Sequence, residues 1–153
     1  MAVPNGPLRE TGFRFDLLEV QSYLLVASDP GVLPPGDGPV RPSDLGELLL
    51  IIGQPGTGMR RVADAVLAGT RCRIAVEIEH REALLPLVLA GVGVAVVADS
   101  WRPLAVSAGL AVRSLETDES LHVGLVTTDS RPGPAAAAML DVGRRWVADR
   151  DAG

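Results

Sequence analysis

The stretch that decides the fold is "VEIEHREALLPLVLAGVGVAVVADSW", Val76 to Trp101. Apolar and polar residues alternate up to Glu79, which predicts a strand over Arg73–Glu79. The next ten residues, Arg81–Ala90, carry helical spacing, and Gly91 stands where a helix C-terminus favours glycine. Val92–Ala98 is then apolar throughout, as in strands of parallel sheets that are covered on both faces. Strand, helix and strand over so few residues is one turn of an α/β layer fold.

The same unit stands upstream in "LLLIIGQPGTGMRRVADAVLAG", Leu48–Gly69. Here a buried strand (Leu48–Ile52), a loop (Gly53–Gly58) and a helix (Met59–Ala68) closed by Gly69 are expected. The loop resembles most of a phosphate-binding P-loop. Its working parts are absent, because Met59 and Arg60 stand where Lys and Ser or Thr would hold phosphate and Mg²⁺. A planar guanidinium one position late does not replace a point ammonium. What survives is a helix N-terminus able to face an anion. Thr57 either caps this helix or turns its hydroxyl to a ligand, and the loop alone leaves both open.

Farther out, "FRFDLLEVQSYLLVAS" reads as one long strand or two consecutive ones, with Phe13, Phe15 and Leu17 on one face. A proline- and glycine-rich loop leads from it to Leu48. After Trp101 come a short helix with Ser100 as possible N-cap, two strands ("LAVRSL" and "LHVGLVTT"), and a final helix with Pro134 in its first turn. Residues 1–12 read as a flexible leader. The fold class is therefore α/β, a mainly parallel sheet flanked by helices, with ligands expected beyond the carboxyl ends of the strands.

Composition narrows the function. The 153 residues are 47% hydrophobic, which excludes a disordered chain. Aromatics make up only 3%, so the core must be Leu, Val, Ile and Ala. No apolar run approaches the length of a membrane span, and the N-terminal residues lack the apolar stretch of a secretory signal. The single Cys72 excludes a disulfide framework and a cysteine metal cage. All fourteen basic residues are arginine, and the net charge is −5. A DNA-binding face would need basic excess, so no direct nucleic-acid contact and no membrane association are expected, and the location expected is the cytoplasm. No metal-ligand spacing, cofactor motif or nucleophile–base pair is found. His80 has no nucleophile to serve, His122 is expected to pack, and Trp101 and Trp146 are expected as packing anchors.

The residues Glu82-Ala83, Leu87-Val88, Ala90-Gly91, Gly93, Val94 and Ala95 follow the pattern E-A-x-x-x-L-V-x-A-G-x-G-V-A. This resembles the effector-binding domain of LysR-type transcriptional regulators, a type 2 periplasmic-binding-protein-like fold. "RPSDLGELLLIIGQPGTGMRRVADAVLAG" looks like that family's upstream strand, loop and helix, and "GLAVRSL…MLDVGRRW" like its closing strands and last helix. The resemblance covers roughly Phe13–Val147. Three departures stand out: Ala98-Asp99 replaces Leu-Pro, His80 replaces a small capping residue, and Pro86 interrupts the helix.

What the resemblance implies is the second effector lobe with its two crossing strands, over residues 13–150. The winged helix-turn-helix and first lobe of the family would lie outside this stretch, leaving a missing first lobe or a homodimer partner to complete the cleft. The implied effector-facing residues are Gln54, Pro55, Gly56, Thr57 and Gly58, then Glu79 and His80, then Val97, Ala98 and Asp99. The implied ligand is a small organic acid, sensed without catalysis through lobe closure and rearrangement of dimers. Glu79 and Asp99 would repel an anion, unless they are solvated strand ends or select a hydroxyl or amino group. Two other readings remain: a stand-alone protein-interaction domain that has lost its ligand, and a degenerate P-loop nucleotide-binding protein.

Overall fold

Residue pattern and tertiary pairing agree on where the strands lie. The structure, a computed structural model, describes residues 12–128 and 130–151. The expected leader, apart from Gly12, falls outside the described residues. Contacts divide the chain into two units, one formed by the segments up to Gln21 and from Leu121 onward, the other by Ser22–Ser120.

In the Ser22–Ser120 unit the elements are β2 (Tyr23–Ala27), β3 (Leu49–Gly53), α1 (Gly58–Val66), β4 (Arg73–Ile78), α2 (Leu84–Leu89), β5 (Ala95–Ala98), α3 (Arg102–Ser107) and β6 (Ala111–Ser114); β1 (Phe13–Gln21) belongs to the other unit. Strand β2 lies between β5 and β6 and runs antiparallel to both. Strands β3 and β4 pair in parallel, with a register slip between Leu50 and Ile51. A short parallel seam joins the two groups, where Ile51 N–H donates to the Val94 carbonyl and Val94 N–H to the Leu49 carbonyl, each at 2.8 Å. Strands β3, β4, β5 and β6 therefore share one direction and β2 alone is reversed, in line with the mainly parallel sheet expected.

The alternation of side chains splits the core between the two faces of this sheet. Tyr23, Leu25 and Ala27 of β2 point with Leu50 and Ile52 toward α1, where Ala63, Val66 and Leu67 meet them. Leu24 and Val26 point the other way with Ile51, Ala95 and Val97, toward Leu84, Leu85 and Val88 of α2 and Ala105 of α3. This explains why Tyr23–Ala27 has no polar position. Each Leu, Ile or Val side chain taken out of water here contributes about 1.5–3 kcal/mol. Tyr23 is the one aromatic residue in the buried core among the described residues, as the aliphatic composition requires.

The proline- and glycine-rich loop is tied down from the sheet. Arg113 on β6 donates through Nε (2.9 Å) and Nη2 to the Gly38 carbonyl, and through Nη1 to the Pro34 carbonyl at 3.1 Å. Several expected boundaries shift for local reasons. Pro86 has no N–H to give to the Glu82 carbonyl, and the segment accordingly opens as a 3-10 turn (Arg81–Ala83) before α2 begins. Ser100 is not an N-cap: it lies inside a 3-10 turn, Asp99–Trp101, that runs directly into α3. Gly69 and Gly91 both adopt positive φ just past their helices, as expected of helix-closing glycines.

In the other unit β1 (Phe13–Gln21) pairs antiparallel with β7 (Leu121–Thr128), and α4 (Pro134–Asp151) packs on the ribbon. A bulge at Leu18 shifts the register. One face of the ribbon receives α4, where Leu140 is buried and Gly143 leaves room for Leu18 and Leu125. Arg150 pairs with Glu19 (2.9 Å), while Arg144 approaches Asp16 to 3.7 Å. A hydrogen bond from Arg14, with the charges of Arg14 and Arg144 outweighing desolvation, holds the Asp16 carboxyl below its ordinary value. The register puts Phe13, Phe15, Leu17, Val20, His122 and Val126 on the opposite face. Phe13, Leu17, Val20 and Val126 there are exposed, as are Met139, Val142 and Trp146 along one side of α4.

Candidate functional site

Three strands deliver their carboxyl ends to one edge of the Ser22–Ser120 sheet, because β4, β3 and β5 lie side by side in the same direction. The loops leaving them are tied together by main-chain bonds. Gln54 N–H donates to the Ile78 carbonyl (2.9 Å), which sets the Gln54–Gly58 loop beside Glu79. Asp99 N–H donates to the Ser22 carbonyl (2.9 Å), which fixes the end of β5 to the start of β2.

The first loop closes on itself. Thr57 Oγ1 donates to the Gln54 carbonyl (2.7 Å) and accepts from the Arg60 N–H (3.2 Å), so Thr57 is the N-cap of α1. A Cβ at Gly53 would collide with Thr57 Oγ1 and with Met59 Cβ. The loop therefore needs glycine at the strand end for the cap to form. Of the two readings of Thr57, capping is the one its hydroxyl makes. Thr57→Ala is expected to lower stability by about 1 kcal/mol, read by urea unfolding. A change of less than about 0.2 kcal/mol, against about 1 kcal/mol for a typical cap, would remove the capping assignment.

Arg60, where a P-loop would have Ser or Thr, is spent on carboxylates. Its Nε lies 2.9 Å from Asp64 and its Nη1 2.8 Å from Glu77 on β4. The Asp64 hydrogen bond, helped by Glu77, raises its pKa above the ordinary guanidinium value. The second loop exposes Glu79 and His80. His80 stands at the N-cap of the 3-10 turn in extended conformation, but its side chain caps nothing; its carbonyl accepts from Ala83 N–H (3.1 Å).

At the third loop the candidate residues separate. Val97 is 5% exposed and packs in the core, so its side chain does not face the edge. Ala98 is half-buried opposite Tyr23. Asp99 accepts from both Nε (3.0 Å) and Nη2 (2.8 Å) of Arg102, so its charge is compensated within the loop. The structure also brings in residues outside the sequence-based set. The Arg81 guanidinium lies 5.0 Å from the centroid of the Trp101 ring, joining the segment after β4 to the segment after β5. The Asp99–Arg102 pair has helical i, i+3 spacing that could have been noticed in the sequence. Arg81 and Trp101 have no such signal.

The sequence profile of the LysR substrate binding domain matches residues 1–148. The chain belongs to that family. Its fold is accordingly type 2 periplasmic-binding-protein-like, and solved structures share it. The effector binding domain of QuiR, in complex with shikimate, superimposes with TM-score 0.73 at 19% identity over 97% of this chain and 69% of that one. The regulatory domain of Synechocystis PCC6803 CcmR, in complex with 2-PG, gives 0.71 at 15% identity over 90% and 68%. CbnR, a LysR family transcriptional regulator, gives 0.68 at 20% identity over 91% of this chain. The chain spans 49% of the length of CbnR. Among curated proteins, no relative matches. None of the helices in the described residues is long and apolar enough to cross a membrane.

Proposed function

We propose that this LysR-family lobe senses a small organic acid at the carboxyl edge of its sheet. It acts without catalysis, in the cytoplasm, as part of a transcriptional regulator. The observation that carries this reading is the convergence of the Gln54–Gly58, Glu79–Arg81 and Ala98–Arg102 segments at one sheet edge, where α/β folds bind ligands. The complexes of the QuiR effector binding domain with shikimate and of the CcmR regulatory domain with 2-PG support it. Asp99 does not oppose an anion, since Arg102 neutralises it, and Glu79 then selects acids that also carry a hydroxyl or amino group. Effector binding favours closure of this lobe on a first lobe, and closure rearranges the dimer.

The exposed apolar faces of the β1–β7 ribbon and of α4 support a protein neighbour as well. In this reading they receive the first lobe, the part of an effector domain beyond the 69% that this chain matches in QuiR. The same faces favour the second reading, a protein-interaction domain without a ligand.

A thermal-shift screen separates these readings. At a hundred times its dissociation constant an effector adds about 2.7 kcal/mol, which is a rise of about 5–10 °C in a chain of this size. Such a rise is expected with hydroxy- or amino-substituted organic acids. A rise with Mg-nucleotide alone would transfer the site to nucleotide binding. Stable capture of a partner chain with no response to any acid would favour the interaction domain.

A further inference from the structure

Four arginines stand close to the carboxyl edge, and they are not equivalent. The fork of Arg60 is occupied by Asp64 and Glu77. That of Arg102 is occupied by Asp99. Among the described residues no carboxylate or carbonyl accepts a hydrogen bond from the side chain of Arg61 or Arg81; Arg61, whose Nη2 lies 3.9 Å from where a Cβ on Gly58 would stand, rests on no ring there, whereas the Arg81 guanidinium is held over Trp101 at 5.0 Å. We infer that Arg81, seated on the Trp101 ring, is the residue that binds the carboxylate of the effector. This assignment rests on the effector-sensing reading above.

Stacking uses the flat face of a guanidinium and leaves its in-plane N–H donors open. Those donors match a carboxylate in bidentate geometry, whereas a lysine at the same place would offer only a point charge. The platform itself is fixed. Trp101 is half-buried and packs against the α2–α3 side of the core, with Leu84, Leu85 and Ala105 in the same cluster. A guanidinium already oriented on a fixed ring loses less freedom when it binds than a free side chain would. The position is also suitable, because Arg81 follows β4 and Trp101 follows β5, so the stacked pair spans the edge to which the three strand ends converge.

The local charges do not cancel this donor. Glu79 and Glu82 flank Arg81 in sequence and are exposed, yet neither pairs with it. On the β5 side, the Asp99 carboxylate is engaged by Arg102. An incoming carboxylate therefore meets an oriented cation whose partner is still to come.

The test compares acids with their uncharged esters. The 153-residue chain, labelled with ¹⁵N, is titrated with shikimate and methyl shikimate, and with benzoate and methyl benzoate. The two indole N–H signals, from Trp101 and Trp146, serve as reporters. The acid of at least one pair is expected to bind about tenfold or more tightly than its ester, and to move the Trp101 signal while Trp146 stays in place. Arg81→Gln should bring the acid-to-ester ratio close to one. Arg81→Lys should keep part of it, since it retains charge without the fork.

Failure takes two distinguishable forms. If wild type prefers the acid and Arg81→Gln keeps that preference, the Arg81 assignment is wrong and organic-acid sensing stands. If neither acid binds to wild type, organic-acid sensing fails and the Arg81 assignment falls with it.

Discussion

Alanine in place of Gly93 should weaken the Ser22–Ser120 unit by about 3 kcal/mol. A Cβ at this position would stand 2.5 Å from the Leu49 carbonyl oxygen and 3.2 Å from its carbon, closer than the backbone can accept. The strain falls on the seam that joins β3 to β5. There Val94 N–H and the Leu49 carbonyl, and Ile51 N–H and the Val94 carbonyl, make the 2.8 Å bonds that unite the two strand groups. Relief would require β3 to move away, and those bonds would lengthen. Urea unfolding followed by far-UV circular dichroism measures the loss. Gly38→Ala is the control, because a Cβ there meets nothing within 4 Å, and its effect should stay within about 0.5 kcal/mol. Equal midpoints for the two variants would mean that β3 and β5 do not meet in this way.

Leu24→Ala should cost slightly more, about 3–4 kcal/mol. Leu24 is 0% exposed and sits in the reversed strand β2, with Val97 of β5 on one side and Ser114 of β6 on the other. Its side chain points into the cluster formed by Leu84, Val88 and Ala105. No neighbour can collapse far enough to fill the space, since helices and strands surround it on the packed face. In a unit of this size the melting temperature should fall by more than about 10 °C. The site should suffer too, because β2 supplies the Ser22 carbonyl that fixes Asp99. Leu104→Ala is the matched control, its side chain being 57% exposed. If Leu24→Ala costs no more than the control, β2 does not lie at the centre of the sheet.

These two positions also show how far the sequence could be read. Gly93 belongs to the motif that suggested the family, and the profile match over residues 1–148 agrees with that resemblance. The motif could not say why glycine is needed. The reason lies in Leu49, more than forty positions away, whose carbonyl occupies the space a side chain would take. Val92–Ala98 looked like one strand, yet β5 proper begins at Ala95, because the seam with β3 uses Val94 first. Helix ends were easier. Gly69, Gly91 and Pro134 act through their own backbone restrictions, which no distant contact is needed to express.

The candidate site was legible as a set of loops but not as a set of side-chain roles. The sequence leaves Thr57 open between cap and ligand contact, and its hydrogen bonds with Gln54 and Arg60 are those of a cap. The resemblance groups Val97 with the loop, but the two-residue period of β5 turns it into the core. Asp99 looked like a bar to anions until Arg102 was seen to hold it. Arg81 closes the Glu79–Arg81 junction but has no role legible in the sequence, since its partner Trp101 comes from a different strand end.

By itself the sequence determined the class of fold, the order of most elements and the edge at which loops gather. Those properties follow from apolar periodicity and from glycine and proline, whose effects act within a few residues. Only the tertiary structure decided that β2 is reversed between β5 and β6, which charges at the edge are already neutralised, and which guanidinium there is seated on an aromatic ring. Each of these depends on groups far apart in the chain that meet only when the sheet forms, and chain spacing carries no record of such meetings.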